Sequence, residues 1–97
     1  MEETKIGIVG TGFIANTLID VLKNDERFAV SKVLTRRPLE SLNGSNYWRC
    51  LTNSINELID TVELVVECSG DVLHAAEVID QAMKAGLPIV TMNTEFH

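Results

Sequence analysis

The stretch KIGIVGTGFIANTLIDVL, residues 5–22, decides how this chain reads. An apolar run broken only by Gly7 makes residues 5–9 a buried strand, and residues 13–22 carry Ile14, Leu18, Val21 and Leu22 at the spacing of one helical face. Between them lie Gly10, Gly12 and Ala15. In a strand-turn-helix of this kind the first glycine permits the tight turn, and the second lets the backbone approach a pyrophosphate. The small third residue lets helix and strand pack closely. The free amides of the first helical turn then face the phosphates, aided by the helix dipole. Gly10, Thr11, Gly12, Phe13 and Ile14 are therefore the expected pyrophosphate cradle of a dinucleotide.

Working outward, Phe28, Val30, Val33 and Leu34 form a second strand rich in branched residues, which stops at Thr35, Arg36, Arg37 and Pro38 because proline has no amide to donate. Residues 39–48 hold one helical turn, with Leu39 and Leu42 together, followed by the loop formers Asn43 to Asn46; a short third strand is expected around residues 49–51. Ser54-Ile55-Asn56-Glu57 fits a capping box, serine taking the amide three residues on and glutamate reaching back. Residues 63–68 read as a fourth strand. Residues 72–85 read as a helix with Val72, Ala75, Ala76, Ile79, Ala82 and Met83 at helical spacing, ended by Gly86, and residues 87–92 as a last strand. Strands alternating with helices require crossover connections. The expected fold is α/β, a Rossmann-type doubly wound parallel sheet of about five strands, with residues 1–97 a single nucleotide-binding domain and a piece of a longer protein.

A sheet of this type binds ligand outside the carboxyl ends of its strands. The second strand delivers Thr35, Arg36 and Arg37 there with no carboxylate, the pattern that suits the 2′-phosphate of NADP, since a guanidinium pairs with phosphate and stacks on adenine. NADP is the preferred cofactor on this reading and NAD the alternative. The fourth strand delivers Glu67, Cys68, Ser69 and Gly70, and the fifth Thr91, Met92, Asn93 and Thr94, to the nicotinamide half. Ser69 and Gly70 also suit a helix cap. Cys68 has no histidine placed to activate it and reads as apolar filler. His74 reads as an exposed or packing side chain, and Tyr47 and Trp48 either cover the edge of the core or flank the adenine.

Ninety-seven residues allow one small core, and the formal net charge of −6, spread along the chain, argues against nucleic acid or an anionic membrane as partner. The arginine pair is a local exception to that acidity. No apolar run approaches the roughly 20 residues that cross a bilayer. Cys50 and Cys68 lack metal-ligand spacing, so no metal is expected. With no signal-like start, a reducing cytoplasm is the expected compartment.

KIGIVGTGFIA, the arginine pair, VELVVECSGDVLHAAEVIDQAMKAG and LPIVTMN together resemble the amino-terminal nucleotide-binding domain of homoserine dehydrogenases and their relatives. Those proteins end a strand in Glu-x-Thr/Ser-Gly and follow it with a helix, a glycine and a Val-Val-Thr-x-Asn strand. Where homoserine dehydrogenases usually continue with a lysine, this chain has Thr94, Glu95 and Phe96. That is closer to the branch carrying a carboxyl-terminal SAF domain. The resemblance implies an NAD(P)-dependent oxidoreductase acting on a small alcohol or aldehyde, its substrate and catalytic residues supplied by another domain; a homo-oligomer is compatible with it. A non-catalytic module that binds the dinucleotide as a regulatory ligand is the alternative.

Overall fold

The computed structural model describes residues 3–92. β1 (Thr4–Val9) runs through the glycine turn into α1 (Phe13–Lys23), and β2 (Phe28–Leu34) leads through two 3-10 turns, Leu39–Leu42 and Trp48–Cys50, into β3 (Leu51–Thr52). α2 (Ile55–Thr61), β4 (Leu64–Glu67), α3 (Val72–Lys84) and β5 (Ile89–Thr91) follow. All pairings are parallel, in the order β3-β2-β1-β4-β5. The chain winds outward from β1 to β3 and returns to the other side of β1 with β4. Strand order therefore reverses between β1 and β4.

Both faces of the sheet are covered, and β1 shows why residues 6–9 carry no polar side chain. Ile6 and Ile8 point into a core with Ala15 and Ile19 of α1, Val33 and Tyr47, while Val9 points into the opposite core with Leu58, Val62, Val65, Val78 and Ala82. Gly7 faces that second layer, where a Cβ would lie 2.5 Å from Leu58 Cδ1, so α2 packs directly on the strand backbone. In β2 the register shifts between Ile6↔Val30 and Gly7↔Lys32, leaving Ser31 as an extra residue. The bulge changes the parity of the strand. Phe28 and Val30 before it, and Val33 after it, thus all pack on the α1 side.

Several sequence expectations need correction. The buried face of α1 is Ala15 and Ile19, with Leu18 and Leu22 packed beside them, whereas Ile14 and Val21 are exposed. Close helix-strand approach sets α1 on its small residue, Ala15, and rotates the larger side chains outward. In α3 the face is Ala75, Val78 and Ala82; Val72 and Met83 are exposed apolar residues, and Ala76 is exposed too. The third strand starts at Leu51, not residue 49, because the Cys50 amide still donates to Tyr47 O (2.9 Å) in a 3-10 turn and pairing begins at Val33↔Leu51. Only half of the capping box forms. Ser54 Oγ accepts from Glu57 N at 3.1 Å, but the Glu57 carboxylate turns to Lys32 Nζ (2.7 Å) and Thr52 Oγ1 (3.1 Å), and the Ser54 amide donates to Thr52 Oγ1 instead. Of the two aromatic residues, Tyr47 is buried in the α1-side core, while Trp48 is half exposed under the Arg49 guanidinium. Among the described residues no helix is long and apolar enough to cross a membrane.

Candidate functional site

Three loops meet where the strand order reverses, and they enclose one cleft of about 190 Å³. Gly10, Thr11 and Gly12 come from the β1–α1 turn, Leu34, Thr35, Arg36 and Arg37 from the end of β2, and Ser69, Asp71 and His74 from the start of α3. This volume is below that of a pocket enclosing a whole drug-sized ligand. It lies at the carboxyl ends of β1, β2 and β4 and is of a size for a small polar group.

The two glycines of the turn are there for different reasons. Gly10 has φ 112°, and a Cβ on it would stand 2.8 Å from Ser69 Cα and 3.0 Å from Cys68 O. Its amide donates to Leu34 O at 2.9 Å, so the turn is wedged between the ends of β2 and β4. The fold itself therefore requires this glycine. Gly12 has φ −83°, an ordinary value, and a Cβ there would meet nothing within 4 Å. Neither backbone nor packing asks for glycine at position 12.

Gly12 is also the N-cap of α1. No side chain caps that end, and its first turn has no acidic residue. Asn16 Nδ2 donates to Thr11 O (3.0 Å) and Gly12 O (2.9 Å), holding the turn's carbonyls toward the helix and leaving its amide side to the cleft. The unneutralised positive end of a helix of 11 residues favours an anion by about 0.3–1 kcal/mol, and more where partly buried. Phe13 and Ile14, expected in the cradle, contribute that first turn of backbone while their side chains are exposed.

The end of β2 is fixed from below. Thr35 is buried; its amide donates to Thr52 O (3.0 Å) and its hydroxyl accepts from the Arg37 amide (3.1 Å). Asn53 Nδ2 donates to the carbonyls of Thr35 (2.7 Å) and Arg37 (3.0 Å). Thr35 thus shapes the loop that presents the two arginines. Arg36 Nη1 pairs with Asp71 Oδ2 at 2.6 Å, while among the described residues no ion pair involves Arg37. The sequence has no carboxylate at the end of the second strand, yet the fold brings one there from the start of α3. Asp71 Oδ1 also accepts from the His74 amide (3.1 Å), making Asp71, not Ser69, the cap of α3. That backbone hydrogen bond, with the charge of Arg36 added, holds the Asp71 carboxyl below its usual range.

The loop after β4 is tied to itself. Glu67 is fully buried and its carboxyl group accepts from the Ser69 amide (2.7 Å), the Ser69 hydroxyl (2.5 Å) and, on its other oxygen, the Thr91 hydroxyl (3.2 Å). Cys68 packs in the α1-side core, where burial and then the neighbouring Glu67 push its thiol up to about 11. That fits the filler reading, because the thiolate needed for reactivity is disfavoured. Gly70 is exposed outside the cleft lining, and Asn93 and Thr94 lie outside the described residues. Sequence reading missed Asp71 and His74 as cleft residues. The available signal was Asp71 three positions before His74, the spacing of an N-cap and its amide.

Residues 10–96 match the family model for the NAD-binding domain of homoserine dehydrogenase. No curated protein sequence matches. Among solved structures, homoserine dehydrogenase from S. aureus superposes with a TM-score of 0.76 at 21% identity, covering 96% of this chain and 26% of that one. UDP-N-acetylglucosamine 3-dehydrogenase GnnA from Acidithiobacillus ferrooxidans gives 0.72 at 20% identity, covering 94% and 29%. The protein YvaA from Bacillus subtilis gives 0.70 at 25% identity, covering 93% and 27%. The chain thus spans less than a third of the length of each of these relatives.

Proposed function

The chain belongs to the homoserine dehydrogenase NAD-binding domain family, and on that premise we propose that it binds NADP in preference to NAD and holds the cofactor for hydride transfer to or from a small alcohol or aldehyde. NAD(P) binding by a dehydrogenase family is the common ground; the preference for NADP and the class of substrate are our reading. The observation that carries it is Gly12, a glycine that its own fold does not require, at the uncapped start of a helix and on the wall of a cleft that also presents two arginines. A residue kept small where nothing of the protein approaches leaves room for something outside the protein.

The bound nicotinamide would supply the hydride chemistry. This chain's own residues bind and orient: the first turn of α1 receives the pyrophosphate, and Arg36 and Arg37 face the adenosine end. Ser69 and the start of α3 border the path toward the nicotinamide. Among the described residues no general base stands beside an activating partner, so we place acid–base and substrate groups in a further domain and expect the domain alone to turn over no substrate.

Calorimetric titration tests the site. The wild-type chain should bind NADP and NAD, and Gly12→Val should abolish both, because a branched side chain fills the approach to the backbone. Its folding stability should fall by less than about 1 kcal/mol, the cost of a poor N-cap. A wild type that binds neither nucleotide at millimolar concentration, or a valine variant that binds as wild type does, overturns the assignment.

A further inference from the structure

We propose that Asp71 sets the cofactor selectivity of this cleft by occupying Arg36, so that the 2′-phosphate of NADP is left chiefly to Arg37. The proposal rests on the dinucleotide reading above and goes beyond it in naming the residue that limits NADP preference. Asp71 and Arg36 are 35 positions apart in sequence and come from different loops, yet they meet at 2.6 Å on the wall of the one cleft that also holds the glycine turn. Each Asp71 oxygen has its own task, Oδ1 on the His74 amide and Oδ2 on Arg36. The cap anchors the carboxylate, so it cannot swing aside when a ligand arrives without giving up the start of α3.

A 2′-phosphate entering this corner must either draw Arg36 away from Asp71 or settle for Arg37 alone. Both routes weaken NADP. Neither touches NAD, whose ribose carries no phosphate there. The pair is partly exposed, 65% for Arg36 and 42% for Asp71, so the effect should be moderate and screened by salt.

Asp71→Asn tests this with little disturbance, since asparagine caps a helix as well as aspartate does but carries no charge. In titrations of the full chain, Asp71→Asn should bind NADP roughly three- to tenfold more tightly, with NAD affinity changed by less than about twofold. In an Arg36→Ala background the same substitution should lose most of that gain, the signature of coupling between the two residues. An unchanged or weakened NADP affinity while NAD still binds overturns the proposal and leaves the dinucleotide site standing. So does an equal gain without Arg36, which would make Asp71 a direct repeller of phosphate. A loss of NAD affinity in Asp71→Asn overturns it differently, by showing that the carboxylate receives the ribose hydroxyls. Absence of binding by either nucleotide to wild type removes the site itself, and this inference with it.

Discussion

The loops that leave β1 and β4 lie side by side at the reversal of strand order, and they spend their polar groups in opposite ways. After β1 the helix start is uncapped, and Gly12 faces open space. After β4 the loop is closed on itself, its amide and hydroxyl taken by the buried Glu67 and its helix capped by Asp71. One loop leaves its helix start uncapped, and the other uses its donors to hold shape. A binding edge needs both, because a flexible neighbour would blur the position of the open loop. Gly10 joins them, since its missing side chain is what lets the β1 turn touch Ser69 and Cys68.

Breaking that junction should have the largest effect. Gly10→Ala puts a methyl group 2.8 Å from Ser69 Cα in a backbone conformation that alanine rarely adopts. Strain and overpacking together should cost about 3 kcal/mol of stability, measurable as a lowered urea midpoint. This is the reverse of the expectation for Gly12→Val, where binding fails and folding barely changes. If Gly10→Ala folds as stably as wild type, the wedge between β2 and β4 is not as tight as the distances imply.

Opening the closed loop should come next. Glu67→Leu keeps roughly the volume but takes the acceptor from the part-buried Ser69 amide and from the Ser69 and Thr91 hydroxyls, at a cost of about 2 kcal/mol. Glu67→Gln should recover most of this. Its single carbonyl oxygen can serve the Ser69 amide, while the Thr91 hydroxyl can rotate to accept from the new amide group. Thermal melts of the two variants distinguish hydrogen bonding from packing: equal losses would mean that shape alone matters at position 67.

How far the sequence foretold this comparison depends on whether the signal was local. The glycine turn, the arginine pair and the alternation of strands and helices are readable because each is a short-range pattern with one physical cause. Even so, the face of α1 came out rotated, because apolar spacing shows that a stripe exists and not that Ala15 must be its closest point of approach. The bulge at Ser31 is invisible to periodicity, since it matters only through the partner strand. Glu67 was legible as a strand-end residue, but its burial and bonding, like the role of Asp71, were hidden for the same reason. The partners of Glu67 include Thr91, and those of Asp71 include Arg36, so their roles exist only once the sheet has assembled. Asn53 behaves likewise, reaching back to the carbonyls of Thr35 and Arg37 from beyond β3. Exposed ends of strands can be read in order, but which of them become neighbours is a property of topology.

The smallest expected effect lies within the arginine pair, and it sharpens the contrast between groups kept for a ligand and groups already engaged. The Arg37 loop is pinned through backbone, by the Thr35 hydroxyl and Asn53, while Arg36 is bound through its guanidinium to Asp71. Among the described residues Arg37 therefore has its side chain to offer without breaking an ion pair, whereas Arg36 must first give one up. A charge-assisted hydrogen bond to phosphate is worth about 1.5–3 kcal/mol, so Arg37→Ala should weaken NADP by roughly tenfold or more. Arg36→Ala should weaken it by less than about threefold, because what it loses toward the phosphate is already discounted by the broken pair. NAD should bind both variants nearly as well as it binds wild type, apart from lost stacking on the adenine, and the Arg37 effect should shrink as salt rises. Titration of both nucleotides into each variant at two ionic strengths measures all of this. Equal NADP losses for the two arginines would mean that the ligand displaces Asp71 readily. Equal losses of NADP and NAD would mean that the arginines stack or pack without reading the phosphate, and the contrast between engaged and available groups would then not extend to this corner of the cleft.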